Sequence, residues 1–417
     1  MSVIFPRESM APGGHYVKQL WPGNSAGQGR AERQPGRFDA YVPNPISEYE
    51  PGLTGPMSRL LSDADGAVRG LNRLDPARAH QIEPLARQLL RQESLASSRI
   101  EGLLISHKRI SEAGYDPRGT VDQRAREVLA NIEAMEQAIQ VGSGSEAIDM
   151  ETVVDLHRTL LGITQPKIAG VIRDTQNWVG GRYHTPVGAD FIPPPAGEVI
   201  PLLEDLASFM NRDDLPATLQ AALTHAQFET IHPFADGNGR LGRCLIHVIF
   251  RRRGLASHHV PPVSLLMATD VDGYIKALTA YRDGDESDWT TYFAETTSAA
   301  SLAAEDFGER LIALQKEWKA NARVRRGSTA DKVIDALPAQ PVIDVKKAAE
   351  IAGTSEEAAR QALNLLEERG VLKQVTKRNW GRVWESKGLW NLLDRFEERL
   401  AIPAGQARTG RPAPGTR

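Results

Sequence analysis

Residues 232–243 read His-Pro-Phe-Ala-Asp-Gly-Asn-Gly-Arg-Leu-Gly-Arg, a stretch that collects several groups able to act on a phosphate. His232 is a candidate general base, because imidazole titrates near neutral pH. Asp236 is a candidate ligand for Mg²⁺, which usually takes one or two carboxylates together with substrate phosphates. Arg240 and Arg243 are three residues apart, so a helix would present both guanidinium groups on one face. Together these groups predict a site for a nucleoside triphosphate.

Glycines surround the amide of this stretch. Gly237 and Gly239 flank Asn238, and glycine lets the backbone approach an anion closely and turn its N–H groups toward it. The apolar run at residues 241–250 predicts a helix, and a helix N-terminus favours phosphate. A lone Gly-x-Gly would indicate only a helix cap, but here seven chemically distinct positions agree. A P-loop is not supported, because the sequence lacks Gly-x-x-x-x-Gly-Lys-Ser/Thr.

The stretch matches the signature His-x-Phe-x-Asp/Glu-Gly-Asn-Gly-Arg-x-x-Arg at every position, and the chain therefore resembles the Fic family. Fic proteins typically transfer AMP from ATP to a Ser, Thr or Tyr hydroxyl of a protein and release pyrophosphate. The resemblance implies that His232 deprotonates the target hydroxyl and that Asp236 holds Mg²⁺ between the α- and β-phosphates. In the Doc branch, which phosphorylates its target, a lysine replaces the second motif glycine. Gly239 therefore favours AMP transfer here.

The resemblance assigns the other motif residues to the nucleotide as well. It implies that the asparagine and the glycine backbone cradle the α- and β-phosphates, and that the two arginines hold the outer ones. The phenylalanine of the motif is expected to pack into the core. The motif residues so assigned are Phe234, Gly237, Asn238, Gly239, Arg240 and Arg243.

An upstream segment, Ser97-Ser-Arg-Ile-Glu101-Gly102, resembles the inhibitory helix of the family, Ser/Thr-x-x-x-Glu-Gly/Asn. Ser97 and Glu101 lie four residues apart on one helical face. In relatives this glutamate pairs with the last motif arginine, which is Arg243 here. That arginine is then no longer available to bind the γ-phosphate of ATP. The resemblance thus implies an intramolecular brake. An ordinary helix end capped by Gly102 is the structural alternative, and the same glutamate could instead direct a water that removes AMP.

Two further segments would complete the site. The stretches at residues 172–184 and 190–195 contain β-prone pieces separated by glycines and ended by prolines, which predict an irregular hairpin. In the family such a flap holds the backbone of the target beside the catalytic histidine. The family also places an aromatic and an aliphatic side chain around the nucleobase. Tyr274 and Leu278, one helical turn apart, are the candidates, and helix packing explains that pair equally well.

Composition limits the remaining choices. The 417 residues carry a net charge of −3 and a pI near 6.4, which indicate neither nucleic-acid nor membrane binding. The single cysteine, Cys244, suits a reducing compartment, and no apolar run is long enough to cross a membrane. With no signal peptide recognised, we expect a cytoplasmic protein.

Amphipathic periodicity predicts an all-α Fic bundle with a β-hairpin flap, followed by a small winged-helix (α+β) domain. Helices are expected at residues 124–140, 150–161, 199–211, 215–231, 241–253 and 288–304. The expected organisation is a partly disordered segment at 1–50, a helical region with the inhibitory motif at 51–118 and the Fic domain at 119–304. A connecting helix at 305–327, a winged helix-turn-helix domain at 328–400 and a disordered tail at 401–417 would follow.

The C-terminal domain leaves DNA binding open. Residues 345–352 and 356–369 predict helix–turn–helix, and two strands at 370–375 and 382–384 predict a wing. Basic and polar residues could contact DNA, namely Lys373, Lys377, Arg378 and Arg382 in the wing and Arg360, Gln361 and Asn364 on the second helix. Glutamates on that helix oppose DNA binding, namely Glu356, Glu357, Glu367 and Glu368. Protein contact is at least as well supported.

The sequence therefore predicts an autoinhibited protein adenylyltransferase that uses ATP and Mg²⁺ and modifies a protein target or itself. One rival is a winged-helix DNA-binding regulator whose Fic site senses a nucleotide or modifies the protein itself. Another keeps the fold but uses a different nucleotide or removes AMP. The target protein, the modified residue, the signal that releases Glu101 and a homodimeric state are left open by the sequence.

Overall fold

Helices dominate the computed structural model, which describes residues 12–24, 29–73, 82–113, 122–182, 184–375 and 381–400. In chain order the elements are β1 (Gly14–Trp21), α1 (Arg30–Arg33), β2 (Gly36–Pro43), α2 (Gly55–Leu71), α3 (Ile82–Ile100), α4 (His107–Ala113), α5 (Gln123–Ser143), α6 (Met150–Leu161), α7 (Ala196–Met210), α8 (Ala217–Ile231), α9 (Asn238–Arg252), α10 (Val263–Met267), α11 (Val271–Arg282), α12 (Glu286–Ala322), α13 (Thr329–Ala336), β3 (Val342–Asp344), α14 (Val345–Ala352), α15 (Glu356–Glu368), β4 (Leu372–Gln374), β5 (Val383–Ser386) and α16 (Leu389–Leu400). Within this part of the chain no helix is both long and apolar enough to cross a membrane.

The centre of the bundle is the antiparallel pair α8 and α9. Almost every residue of α8 is buried, because α2, α7, α9 and α12 surround it. The predicted helices that correspond to α5 through α9 end within three residues of the observed ends. Apolar periodicity and local caps explain this agreement: Asp149, for example, accepts from the backbone N–H of Thr152 and starts α6.

A single helix of 37 residues, α12, replaces the predicted helix at 288–304 and the separate connecting helix at 305–327. No proline interrupts residues 286–322, and Gly308 is tolerated because Leu85 of α3 packs against it; a Cβ there would lie 2.9 Å from Leu85 Cδ2. The same helix therefore passes from the core of the bundle into a second core formed with the C-terminal elements.

An N-terminal β-hairpin differs from the expectation of partial disorder at residues 1–50. Strands β1 and β2 pair antiparallel from Gly14↔Pro43 to Trp21↔Gly36. The physical reason is that β2 buries Phe38, Ala40 and Val42, together with Tyr41, against other parts of the chain. Residues 1–11 and the predicted tail at 401–417 lie outside the described residues.

The C-terminal elements follow the order α13, β3, α14, α15, β4 and β5, and their small antiparallel sheet has the strand order β3-β5-β4. The predicted helices at 345–352 and 356–369 are present as α14 and α15, while assignment to the winged-helix class remains a prediction. Two of the suggested DNA contacts on α15 bond to a carboxylate of their own helix, since Arg360 and Gln361 both donate to Glu357. Lys377 and Arg378 lie outside the described residues.

Candidate active site

The loop between α8 and α9 carries the central motif, and its shape is set by Asn238. The Oδ1 atom of Asn238 accepts from the backbone N–H of Phe234 (2.9 Å), and its Nδ2 donates to the carbonyl of Phe234 (2.8 Å). Asn238 is buried and its amide closes the loop, while its contact with the phosphates stays a prediction. Phe234 is fully buried and stacks on His157 at 3.7 Å between ring centroids, which agrees with a packing role.

His232 ends α8 in the left-handed conformation (φ 50°, ψ 60°), which turns the chain sharply into this loop. Its Nδ1 lies 3.4 Å from the carbonyl of Glu229, so a proton on Nδ1 leaves Nε2 able to accept one. Burial lowers the pKa of His232 to about 4. The imidazole is therefore neutral at physiological pH, which is the form that a general base requires.

Two side chains that sequence reasoning did not single out hold the backbone of His232. Arg173 donates to the carbonyls of His232 (2.8 Å), Pro194 (2.6 Å) and Ile231 (3.3 Å). Asn177 donates to the carbonyl of His232 at 3.3 Å. Both residues lie inside the predicted flap segment, but no local pattern distinguishes a buried arginine that binds carbonyls from a solvated one. These hydrogen bonds hold the start of the flap against the backbone of His232, the candidate general base.

Asp236 is half-exposed beside the start of α9. One of its carboxylate oxygens accepts from the backbone N–H of Gly237 (2.6 Å), and the other accepts from Gln165. His157 accepts the N–H of Gly170 at Nδ1, so its Nε2 carries the proton and donates to the carbonyl of Asp236 at 2.9 Å. No group of three or more potential metal ligands occurs in the described ranges. A divalent ion here would therefore use one carboxylate together with phosphate oxygens, a donor set that suits Mg²⁺.

The two motif arginines are buried at the N-terminus of α9. Arg240 approaches Asp236 only to 3.8 Å, and its Nε and Nη1 have no hydrogen-bond partner among the described residues. A buried guanidinium with free donors is costly unless an anion binds it. Gly237, which precedes the helix in the left-handed conformation (φ 80°), lets the chain enter α9 with its first N–H groups open.

Arg243 already donates hydrogen bonds to residues at the C-terminal end of α3. Its Nε donates to Ser97 Oγ and its Nη2 to the Ser97 carbonyl, both at 2.9 Å, and Nη2 donates to Glu101 Oε1 at 2.8 Å. Burial alone would lower the pKa of Arg243, but the Glu101 carboxylate raises it above its ordinary value. Gly102 follows directly and donates its N–H to the carbonyl of Arg99 (2.9 Å). The structure thus brings together the two segments that the sequence paired.

Glu101 also touches the glycine that would face a phosphate. A Cβ built on Gly239 would lie 2.0 Å from Glu101 Oε1. The carboxylate therefore stands at the N-terminus of α9, within reach of Arg243, in the place that the motif prepares for an anion. A carboxylate and a phosphate cannot occupy this place together, because both are negatively charged and bind the same guanidinium.

The flap is less regular than the predicted hairpin. Single bridges join Val179 to Phe191 and Arg182 to Thr185, and the first β-prone piece pairs through Ile172 with the motif loop instead. Prolines at 193–195 have no N–H, which prevents a longer ladder. The N-terminal hairpin supports the flap from behind, since the backbone N–H of Tyr41 donates to the carbonyl of Ile192 (2.9 Å).

The suggested base-binding pair packs in the core. Tyr274 and Leu278 are buried in the main hydrophobic cluster, and the Tyr274 hydroxyl lies 2.8 Å from Nε2 of His225. The helix-packing alternative therefore describes both side chains in this structure, because neither offers a free face to a purine.

A partly buried carboxyl that sequence reasoning missed lies one helical turn before His232. Glu229 Oε1 is buried without a hydrogen-bond partner among the described residues. Burial raises the pKa of Glu229 to about 7, although Arg243 opposes this. In the sequence, the only sign of a role for Glu229 is its spacing of three residues from His232 on α8. Helix periodicity does not show which neighbouring side chain Glu229 faces.

Glu229→Gln is expected to stabilise the protein at pH 8 but not at pH 4. Because the folded pKa lies above the ordinary value of 4.5, protonated Glu229 supports folding below pH 4.5, and this support is lost as pH rises through 7. The unfolding free energy of Glu229→Gln should exceed that of wild type at pH 8 by at most about 3 kcal/mol. Melting temperatures across this pH range test it, with the exposed Glu133→Gln as control. Equal shifts in both variants, or a shift that does not depend on pH, would contradict the assignment.

Comparisons with known proteins agree with this geometry. Residues 147–250 match the model of the Fic/DOC family, and residues 58–140 match that of the Fic/DOC family N-terminal region. The chain is 33% identical over 153 residues to protein adenylyltransferase fic-1 of Caenorhabditis briggsae, covering 37% of this chain and 28% of that protein. It is 30% identical over 153 residues to protein adenylyltransferase Fic of Drosophila grimshawi, covering 36% and 29%. The match thus spans less than a third of the length of these relatives.

A solved structure shows a similar fold. The crystal structure of a Fic family protein from Desulfovibrio desulfuricans covers 82% of this chain and 99% of its own, with a TM-score of 0.51 and 20% sequence identity. At this identity the likeness concerns the fold alone.

Proposed function

We propose, for a chain that belongs to the Fic/DOC family, that the protein is an autoinhibited protein adenylyltransferase. In this proposal it transfers AMP from ATP to a Ser, Thr or Tyr hydroxyl of a protein target or of itself, and Glu101 prevents productive ATP binding. The relatives named protein adenylyltransferase support the reaction class. A cytoplasmic location belongs to the same proposal.

The observation that carries the proposal is the pair of buried arginines at the N-terminus of α9. Nε and Nη1 of Arg240 have no partner within the described ranges, and Arg243 holds a carboxylate that a phosphate could replace. A triphosphate satisfies both requirements, because its oxygens accept from the guanidinium groups and from the helix N-terminus. His232 then stands at the end of α8, on the other side of the same loop.

In the proposed reaction, Nε2 of His232 accepts the proton of the target hydroxyl while that oxygen attacks the α-phosphorus. A new oxygen–phosphorus bond forms, the bond between the α-phosphorus and the bridging oxygen breaks, and pyrophosphate leaves. Asp236 would hold Mg²⁺, which neutralises phosphate charge when bound. Arg240 and Arg243 would orient the outer phosphates, so that the α-phosphate faces the hydroxyl.

The identity of residue 239 supports transfer of AMP over transfer of phosphate. The Cβ of any side chain at this position would lie 2.0 Å from Glu101 Oε1. A lysine would also add a positive charge at the start of the helix. Gly239 leaves that space to an anion, which is the Glu101 carboxylate in this structure and would be a phosphate in its place. DNA binding by the C-terminal elements has weaker support, since two exposed glutamates begin α15.

The test uses ATP labelled at either the α- or the γ-phosphate, incubated with purified Glu101→Gly protein and Mg²⁺. Label from the α-position should enter protein, while label from the γ-position should appear only in pyrophosphate. Protein labelled from the γ-position would show phosphate transfer and contradict the proposal. Adding wild-type protein to the labelled product tests the rival role of Glu101, because loss of label would indicate AMP removal.

A further inference from the structure

The helix that ends at the inhibitory segment, α3, is shared between two hydrophobic cores. Leu90 packs in the main hydrophobic core, which includes residues of α5 to α9. Leu89 and Ala96 belong instead to the second core, which includes Leu389 and Phe396 of α16. The position of α3 on the catalytic site therefore depends on packing against the C-terminal elements, which lie far away in sequence.

A charged contact secures the end of α3 close to Glu101. Arg99 Nη2 lies 2.9 Å from Glu397 Oε2 and 3.1 Å from Oε1, and His107 Nε2 of α4 lies 2.6 Å from the same Oε1. Burial alone would raise the pKa of Glu397, but His107 and Arg99 hold it below the ordinary value. Glu397 on α16 thus joins the two helices on either side of the segment 101–106.

A second ion pair secures the other end of that segment. Lys108 of α4 lies 2.8 Å from Glu385 of β5, whose side chain is almost fully buried. The contacts made by Glu397 and Glu385 come from the α13–α16 part of the chain, which we call the C-terminal unit (residues 329–400). The chain on both sides of Glu101 and Gly102 is therefore held from outside the bundle.

Backbone bonds transmit this restraint to Glu101. The N–H of Gly102 donates to the carbonyl of Arg99 (2.9 Å), and the N–H of Leu103 donates to that of Ser98 (3.0 Å). Arg99 and Glu101 consequently belong to one closed turn. Moving Glu101 away from Arg243 as part of that turn would also strain the contact between Arg99 and Glu397.

We propose that Glu397 is a positioning residue for the inhibitory turn, and that the C-terminal unit thereby sets how often Glu101 leaves Arg243. This inference rests on the proposed function, because it describes the regulation of the same site. A partner that binds α16 and displaces Glu397 would activate the enzyme without touching the nucleotide site. Activity would then respond to the C-terminal unit even if that unit never contacts the target.

The first measurement is self-labelling with α-labelled ATP. Glu397→Gln keeps the size of the side chain but removes its charge, so we expect labelling to rise above wild type on the order of three- to tenfold, since the contact is partly exposed. The exposed neighbouring change Glu398→Gln should leave labelling unchanged. In the Glu101→Gly background, Glu397→Gln should add nothing, because its effect passes through Glu101. Equal labelling of Glu397→Gln and wild type, while Glu101→Gly is active, would overturn the proposal.

The second measurement does not depend on transfer. Hydrogen–deuterium exchange of the full chain should show faster exchange at the amides of Gly102 and Leu103 in Glu397→Gln, with protection kept in the middle of α3 and in α9. Arg99→Gln removes the same contact from the other side and should give the same local pattern. Unchanged exchange at residues 97–103 in both variants would overturn the proposal. If Glu101→Gly transfers no AMP yet local exchange rises, the proposed function fails and the positioning role stands.

Discussion

Replacing Glu101 with glycine is expected to raise AMP transfer at least about tenfold over wild type. The change removes the carboxylate that lies 2.8 Å from Arg243 Nη2 and against Gly239. A hydrogen bond to a charged group contributes about 1.5–3 kcal/mol, which corresponds to about 10- to 150-fold in occupancy. We place the expectation at the lower end, because the side chain of Glu101 is 38% exposed and water screens the pair. Initial rates of protein labelling from α-labelled ATP measure the effect.

Two variants make this prediction more specific. Glu101→Gln keeps the shape of the side chain without its charge, so it should give a rate between those of wild type and Glu101→Gly. Ser97→Ala should have a smaller effect, because the Ser97 carbonyl continues to accept from Arg243. A Glu101→Gly protein that folds, binds ATP no better than wild type and transfers at the same rate would show that Glu101 is not a brake.

His232→Ala in the Glu101→Gly background is expected to lower transfer by about 10²–10⁴-fold, the usual contribution of a general base. The imidazole is the group at the end of α8 that can accept a proton through Nε2, since its Nδ1 faces the carbonyl of Glu229. Rates from α-labelled ATP, compared with ATP affinity measured by calorimetry, separate loss of chemistry from loss of binding. His258→Ala is the matched control, because His258 lies in the segment between α9 and α10, beyond the end of α9 that is opposite the motif loop.

The pH profile of the released enzyme gives an independent check. Because the pKa of His232 is lowered to about 4, the imidazole stays neutral from pH 8 down to pH 6. Transfer should therefore not decline through that range on account of this residue, and should fall only as pH approaches 4. A decline centred near pH 6.5, absent from a control measurement of ATP binding, would mean that His232 is not desolvated as the structure indicates.

The C-terminal half of the chain shows which structural features local sequence pattern predicts and which it does not. Helices α14 and α15 and strands β4 and β5 could be placed from periodicity and turn residues, because their apolar faces repeat within a few residues. The same pattern could not reveal that α16 contacts α3, since Arg99 and Glu397 are 298 residues apart. Nor could it show that α12 continues unbroken for 37 residues, as chain composition changes near residue 305 without a helix breaker.

The motif itself was readable from the sequence because its chemistry is local. Seven positions within twelve residues specify a turn, a helix N-terminus and the charges around it, and the short spacing of Gly237, Gly239, Arg240 and Arg243 brings these groups together whatever surrounds them. The pairing of Glu101 with Arg243 was suggested by resemblance, while its geometry came from packing between α3 and α9.

Tertiary structure alone decided which polar groups are committed to the fold and which are free. Asn238 and Arg173 donate to backbone carbonyls, whereas two donors of Arg240 and one oxygen of Glu229 are buried without a hydrogen-bond partner in the part of the chain that the structure describes. In the sequence these residues look alike, as polar side chains in or beside the motif or the predicted flap segment. Asn238, Arg173 and Arg240 are all buried, so what separates them is the hydrogen-bond partner that each one finds. A polar group removed from water is costly unless the fold or a ligand supplies that partner.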